Sequence, residues 1–198
     1  MGRTWRRAGA WLAAAILAAT YLLAAQPPAA AQTGAMAKFT LSSSDFTDGG
    51  TIANAQVFNG FDCKGGNVSP ALKWSGAPAG TMSFALMVHD PDAPTGSGWW
   101  HWIVYNIPAG TTALPAGAGD PAKHLLPAGV VQGRTDYGTA GYGGPCPPPG
   151  KPHHYYFRLY ALKVAKLEVP ADAGAALIGF NVRAQELGHA ELLGMYGR

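Results

Sequence analysis

Two carboxylates flank a proline in Asp90-Pro91-Asp92-Ala93-Pro94, and a histidine follows in the aromatic run Trp99-Trp100-His101-Trp102. A second pair, His153-His154, opens another aromatic run, Tyr155-Tyr156-Phe157. Imidazoles beside a glycine-rich loop hold anions by donating hydrogen bonds, and their charge changes near neutral pH. A carboxylate next to them orients an imidazole, or accepts a hydrogen bond from a protonated phosphate oxygen, whose second pKa is about 6. Aspartate beside proline also caps turns. That capping role is assigned to Asp92, and the site role to Asp90. His89, His124 and His189 lack a comparable setting and are read as structural or exposed.

The elements must bring these groups together. Residues 83–88 place Phe84, Leu86 and Val88 at every second position, the mark of a strand, and Asp90 sits at its end. After a Pro/Gly turn, strand alternation puts Trp99, His101, Ile103, Tyr105 and Ile107 on one face. Trp100, Trp102, Val104 and Asn106 fall on the other. If the two strands are antiparallel neighbours, Asp90, Asp92 and His101 share one rim. Residues 153–162 repeat the pattern, with His153, Tyr155, Phe157 and Leu159 opposite His154, Tyr156, Arg158 and Tyr160. A strand there, flanking residues 83–88 from the other side, carries His153 to the same rim. Further strands are expected at 38–41, 56–58, 69–74 and 130–131. Residues 109–126 form an excursion, and two short helices are expected within 172–196, with Asn181 capping the second.

Arg3, Arg6 and Arg7 precede an apolar run over 8–25 and an alanine-rich stretch, the tripartite shape of a secretory signal cut after Ala31. The alternative is an uncleaved anchor. Residues 32–37 read as a flexible segment and 38–198 as one domain. The chain has 14 Lys+Arg and 11 Asp+Glu, and losing the three leader arginines leaves the charges balanced. Such a domain offers no electrostatic footprint for nucleic acid, and no membrane span remains once the signal is cut. With 13% charged residues, 27 glycines and 16 prolines, a turn-rich, mainly β protein is expected, exported to the periplasm or secreted. In that compartment Cys63 and Cys146 either form one disulfide or remain two thiols.

Enzyme readings find little support. Gly96-Ser97-Gly98 lacks the spacing of a nucleophile elbow, and Asp90, Asp92, His101 and His153 form no compact zinc motif. Pro145-Cys146 lacks the second cysteine of a zinc deaminase, and a disulfide would disable Cys146 as a nucleophile. No catalytic residues, cofactor or metal are expected.

Asp-Pro-Asp-Ala-Pro, Trp-x-His-Trp leading to Asn-Ile-Pro, and a Gly/Pro loop entering His-x-Tyr-x-Phe, in this order, resemble the phosphatidylethanolamine-binding protein family. The similarity is greatest to its bacterial Raf-kinase-inhibitor-like branch. It extends to Ser69-Pro70-Ala71-Leu72 and Gly194-Met195-Tyr196. The resemblance implies a large antiparallel sheet packed on a smaller one, a β-sandwich with short C-terminal helices, and a small anion pocket at the sheet rim. Carried over residue by residue, it implies that Asp90, His101, His153 and Tyr155 line the pocket. The loop 143–147, including Gly143, Gly144 and Pro147, would form a wall, with Tyr196 near the mouth. The implied ligand is a small anion such as phosphate or a phospholipid head group. The alternative is an inhibitor or modulator of a protein partner, a protease or a kinase. Two departures stand out: His154 occupies a position where many relatives carry arginine, and the loop is unusually rich in proline, which removes N–H donors.

Overall fold

The structure is a computed structural model that describes residues 1, 2 and 38–198. Apart from those first two residues, the expected leader (1–31) and segment 32–37 lie outside the described part. In chain order the elements are β1 (Thr40–Ser43), β2 (Gly50–Thr51), β3 (Asn59–Gly60), β4 (Cys63–Lys64), β5 (Leu72–Ser75) and β6 (Ser83–Asp90). There follow β7 (Trp99–Pro108), β8 (Ala113–Leu114), β9 (Val131–Gln132), β10 (His153–Leu162), α1 (Ala175–Gln185) and β11 (Glu186–Tyr196). Six strands form one sheet in the order β2-β11-β10-β6-β7-β9, antiparallel except where β2 pairs parallel to β11. A smaller antiparallel sheet, β1-β5-β8, and the hairpin β3-β4 complete the β structure of the described residues. No helix among the described residues is long and apolar enough to cross a membrane.

The long apolar strand β6 is buried on both faces because both are covered. Phe84, Leu86 and Val88 pack with Trp102, Phe157 and Leu159 against Leu41, Leu72, Trp74 and Leu114 of the small sheet. On the opposite face, Ala85 and Met87 join Ile103, Tyr105, Tyr160 and Leu162 beneath Ala175, Ile178 and Val182 of α1. Those three helix positions recur at helical spacing, so a single stripe of α1 is buried. Each large side chain fully removed from water contributes about 1.5–3 kcal/mol, so the two layers supply most of the driving force.

Strand β7 does not keep the simple alternation expected of it. Val88 pairs with Trp102 and His89 with Trp100, leaving His101 as the inserted residue of a bulge. A second extra residue lies between the pairs Phe84–Ile107 and Leu86–Val104, next to Asn106, whose φ is +62°. The bulges re-aim the strand twice. Ile107 joins the core layer of Val104 instead of that of Ile103, and His101 turns toward Tyr155, ring centroids 5.1 Å apart.

The C-terminal expectation also changes. One helix forms, and Asn181 lies inside it, donating to the carbonyl of Leu177 at 2.9 Å instead of capping a second helix. Residues 186–196 are a strand paired along the whole of β10. Their helix-forming composition yields to the unpaired edge of β10, whose ladder a helix would leave unsatisfied. The first strand begins at Thr40, not at residue 38, and the expected strand at 56–58 is a turn leading into β3.

Candidate functional site

Because β6 is the central partner of both β7 and β10, the end of β6 and the starts of its two neighbours meet at one rim. Asp90 closes β6 and is buried, 3% exposed. Its Oδ1 accepts from the backbone N–H groups of Asp92 at 2.8 Å and Ala93 at 3.1 Å, so Asp90 itself caps the turn. Its Oδ2 accepts from His153 Nδ1–H at 2.8 Å. Asp92, expected as the cap, instead accepts from the backbone N–H of His154 at 2.8 Å and from its Nδ1–H at 2.7 Å. Burial alone would raise the Asp92 carboxyl, but the bonds from His154 bring it below the usual carboxylate value. Two parallel Asp–His pairs thus tie the turn to β10.

His101 is fixed from the other side. Its Nδ1–H donates to the Gly143 carbonyl at 2.7 Å, while the Gly143 N–H donates to the His101 carbonyl at 2.9 Å. Burial, opposed in part by the bond to Gly143 and the charge of Asp90, lowers the imidazole from 6.5 to about 4. His101 is therefore neutral near pH 7, the neutral end of the range open to an imidazole beside a glycine loop. With Nδ1 protonated, Nε2 carries a lone pair, and it is buried with no hydrogen-bond partner.

A cavity of about 170 Å³ opens at this rim, lined by Asp90, His101, His153 and Tyr155, with Trp99 and Tyr137 among the surrounding rings. The Tyr155 hydroxyl and Trp99 Nε1 are also buried, the first beside the Asp90 carboxylate and the second beside the Tyr137 hydroxyl, with no hydrogen bond within 3.5 Å. Burial first, and then the charge of Asp90, push the Tyr155 and Tyr137 phenols well above their usual value, so both remain protonated. The Tyr137 hydroxyl donates to the Gly144 carbonyl at 2.7 Å, and its ring lies 5.6 Å from that of His101.

Of the residues expected at the site, Asp90, His101, His153, Tyr155 and Pro147 line the cavity together. Gly143 and Gly144 stand behind the wall: the N–H of Gly143 is committed to His101, and that of Gly144 to Asn67 Oδ1 at 2.8 Å. Tyr196 faces His153 across the β10–β11 pair but is not a lining residue. The wall expected from 143–147 comes from Cys146, Pro147 and Pro148. Cys146 is bonded to Cys63, Cα atoms 6.0 Å apart, which anchors that wall to the β3–β4 hairpin. Tyr137 and Phe61 escaped the reading of the sequence. Each is an aromatic residue set between turn-forming neighbours, Asp136 and Gly138 or Gly60 and Asp62, where no core strand claims it.

The match to known proteins covers nearly all of the described domain. A family model described as phosphatidylethanolamine-binding protein matches residues 42–197. The UPF0098 protein YbcL of Escherichia coli (strain K12) is 52% identical over 161 residues, covering 81% of this chain and 88% of that protein. A putative lipoprotein, LppC, of Mycobacterium tuberculosis (strain H37Rv) is 40% identical over 158 residues, covering 79% of this chain and 71% of that one. The crystal structure of E. coli YbcL, described as a new member of the mammalian PEBP family, superimposes with a TM-score of 0.79 at 51% identity. That match covers 82% of this chain and 99% of the other. By fold, by sequence and by the order of its rim motifs, the chain belongs to the phosphatidylethanolamine-binding protein family.

Proposed function

We propose that this is an exported binding protein whose rim cavity holds a small phosphate-like anionic group. The observation that carries the reading is the gathering of Asp90, His101, His153 and Tyr155 around one cavity, beside which His101 Nε2 is buried without a hydrogen-bond partner. Buried polar atoms ordinarily have partners, so an orphan nitrogen beside a cavity lined by polar side chains supports a ligand site there. The family name adds support for a phospholipid-type ligand, and the naming of the LppC relative as a lipoprotein supports export. Binding is favoured over catalysis. On the cavity wall the Cys146 sulfur is held in a disulfide, and the Thr95 hydroxyl donates to the Gly98 carbonyl.

The test is an NMR titration of the protein, following the ring signals of His101 and His153 as phosphate and then phosphoethanolamine are added. Saturable shifts at both rings, absent from the His101→Ala/His153→Ala double variant, support the reading. Unmoved rings refute it. Modulation of a protein partner is the second reading, and Phe61, 62% exposed at the lip of the cavity, gives it a contact surface. Inhibition that survives in the double variant would assign it to a surface outside the cavity.

A further inference from the structure

We infer that the free edge of β9 and the groove beside it form a second binding site, for an extended peptide segment of a protein partner. That segment lays one apolar side chain, flanked by neutral or basic residues, into the groove. The groove, of about 340 Å³, is lined by residues between 118 and 130, by Gln132 of β9 and by Ala140. It shares no lining residue with the rim cavity, so what it binds is independent of what that cavity holds.

The backbone of β9 supplies the first half of the site. This strand ends the large sheet and pairs only with β7 among the described residues. Gly133 N–H donates to the Ile103 carbonyl at 2.8 Å, and Val131 is paired with Tyr105 in the same register. Backbone groups alternate in direction along an antiparallel strand. Residues 131 and 133 therefore turn theirs to β7, and Gln132 turns its N–H and C=O outward. No described residue bonds to either group. An N–H and a C=O left open on a sheet edge are completed by one residue of an added strand, which accepts from the first and donates to the second.

The groove selects that residue. Its side chain would lie opposite that of Gln132, on the same face of the sheet. On that face the fully buried Trp102 donates its indole N–H to Gln132 Oε1 at 2.8 Å. The contact fixes the amide and leaves its N–H₂ free to donate to a carbonyl of the added strand. Leu126 and Val130, partly buried against the core, line the groove beside it, and Leu125 is 43% exposed there. An apolar side chain opposite Gln132 covers these three. Asp120 is the one carboxylate among the described lining residues, and none of them is Lys or Arg. Its Oδ1 accepts from Ala122 N–H at 3.0 Å, which leaves Oδ2 open, and that charge favours a neutral or basic segment over an acidic one. Because β9 has only two residues, the backbone contact is a single residue pair, and the groove supplies the rest of the affinity.

The test is an NMR titration of the protein with the capped peptide acetyl-Lys-Leu-Thr-amide, read at the Trp102 Nε1–H signal. The expected result is a saturable shift, because donation by the Gln132 N–H₂ strengthens its Oε1 as an acceptor. Replacing the peptide's leucine by glycine, or methylating its nitrogen, should weaken binding by about tenfold or more. Leu125→Ser, at an exposed lining position, should weaken it as well. The His101→Ala/His153→Ala variant should bind the peptide as the unaltered protein does. Absence of a saturable shift overturns the inference. So does equal binding of the glycine peptide, the N-methyl peptide or acetyl-Glu-Leu-Thr-amide. Loss of the shift in the His101→Ala/His153→Ala variant would place the peptide in the rim cavity and overturn it too. A Trp102 signal that moves with protein concentration alone would assign the edge to a second copy of the chain, with the same consequence.

Discussion

The Nδ1 atom of His101 lies 2.7 Å from the carbonyl oxygen of Gly143, and this contact decides what the buried imidazole offers to the cavity. It uses the single proton of a neutral ring on the protein and turns a lone pair inward. A bulge in β7 makes the contact possible by rotating His101 out of the alternation that its neighbours follow.

Stability should fall on mild acidification because of this residue. The His101 imidazole is lowered from 6.5 to about 4 in the folded state, so between those values the unfolded chain binds more protons than the native one. Its contribution is complete above about pH 6.5 and shrinks as pH falls toward 4, in total by roughly 3 kcal/mol. Urea denaturation at steps from pH 7 to pH 4 measures the slope. His101→Gln should flatten it, and an unchanged slope in that variant would exclude His101 as its source.

Replacing Asp90 by asparagine should keep the turn and disturb the pair with His153. The asparagine carbonyl still accepts from Asp92 and Ala93, but its amide N–H₂ then faces His153 Nδ1, which must become the acceptor. The expected outcome is a change of His153 tautomer in ¹⁵N NMR with a loss of about 1–3 kcal/mol. Asp90→Ala should cost more, since two backbone donors lose their acceptor.

The two loop glycines differ in what opposes a side chain. A Cβ at Gly143 would stand 2.3 Å from the Tyr137 ring, whereas one at Gly144 would stand 2.0 Å from the backbone oxygen of Gln56. A ring can shift and a backbone held by its neighbours cannot easily do so. Gly143→Ala should destabilise by about 1–3 kcal/mol, and Gly144→Ala by more than Gly143→Ala. Equal chemical-denaturation midpoints for the two variants would contradict this ordering.

The Cys63–Cys146 bridge spans 83 residues, so its removal frees a long loop in the unfolded chain. The Cys63→Ser/Cys146→Ser variant is expected to lose about 2–4 kcal/mol. Because Cys146 and Pro147 also wall the cavity, ligand-induced ring shifts at His153 should weaken in the same variant. Full retention of both stability and ligand response would refute a structural role for the bridge.

The period-2 patterns at 83–88 and 153–162 determined two central strands, and the Pro/Gly turn after Asp90 made the first of them an antiparallel neighbour of the strand that begins at Trp99. Those local features, with the order of the rim motifs, were enough to bring Asp90, His101 and His153 together and to indicate a mainly β domain. Three things were decided only in three dimensions. Which residue of β7 bulges depends on how it registers against β6, so the facing of His101 and Ile107 could not be read from alternation. Residues 186–196 had the composition of a helix but met the open edge of β10, where backbone hydrogen bonding outweighs local propensity. The protonation and donor pattern of the cavity depends on long-range contacts, His101 with Gly143 and Gly144 with Asn67, between segments far apart in sequence. Residue types indicate which groups can titrate; burial and partners set which of them hold their protons, and those come from the tertiary structure alone.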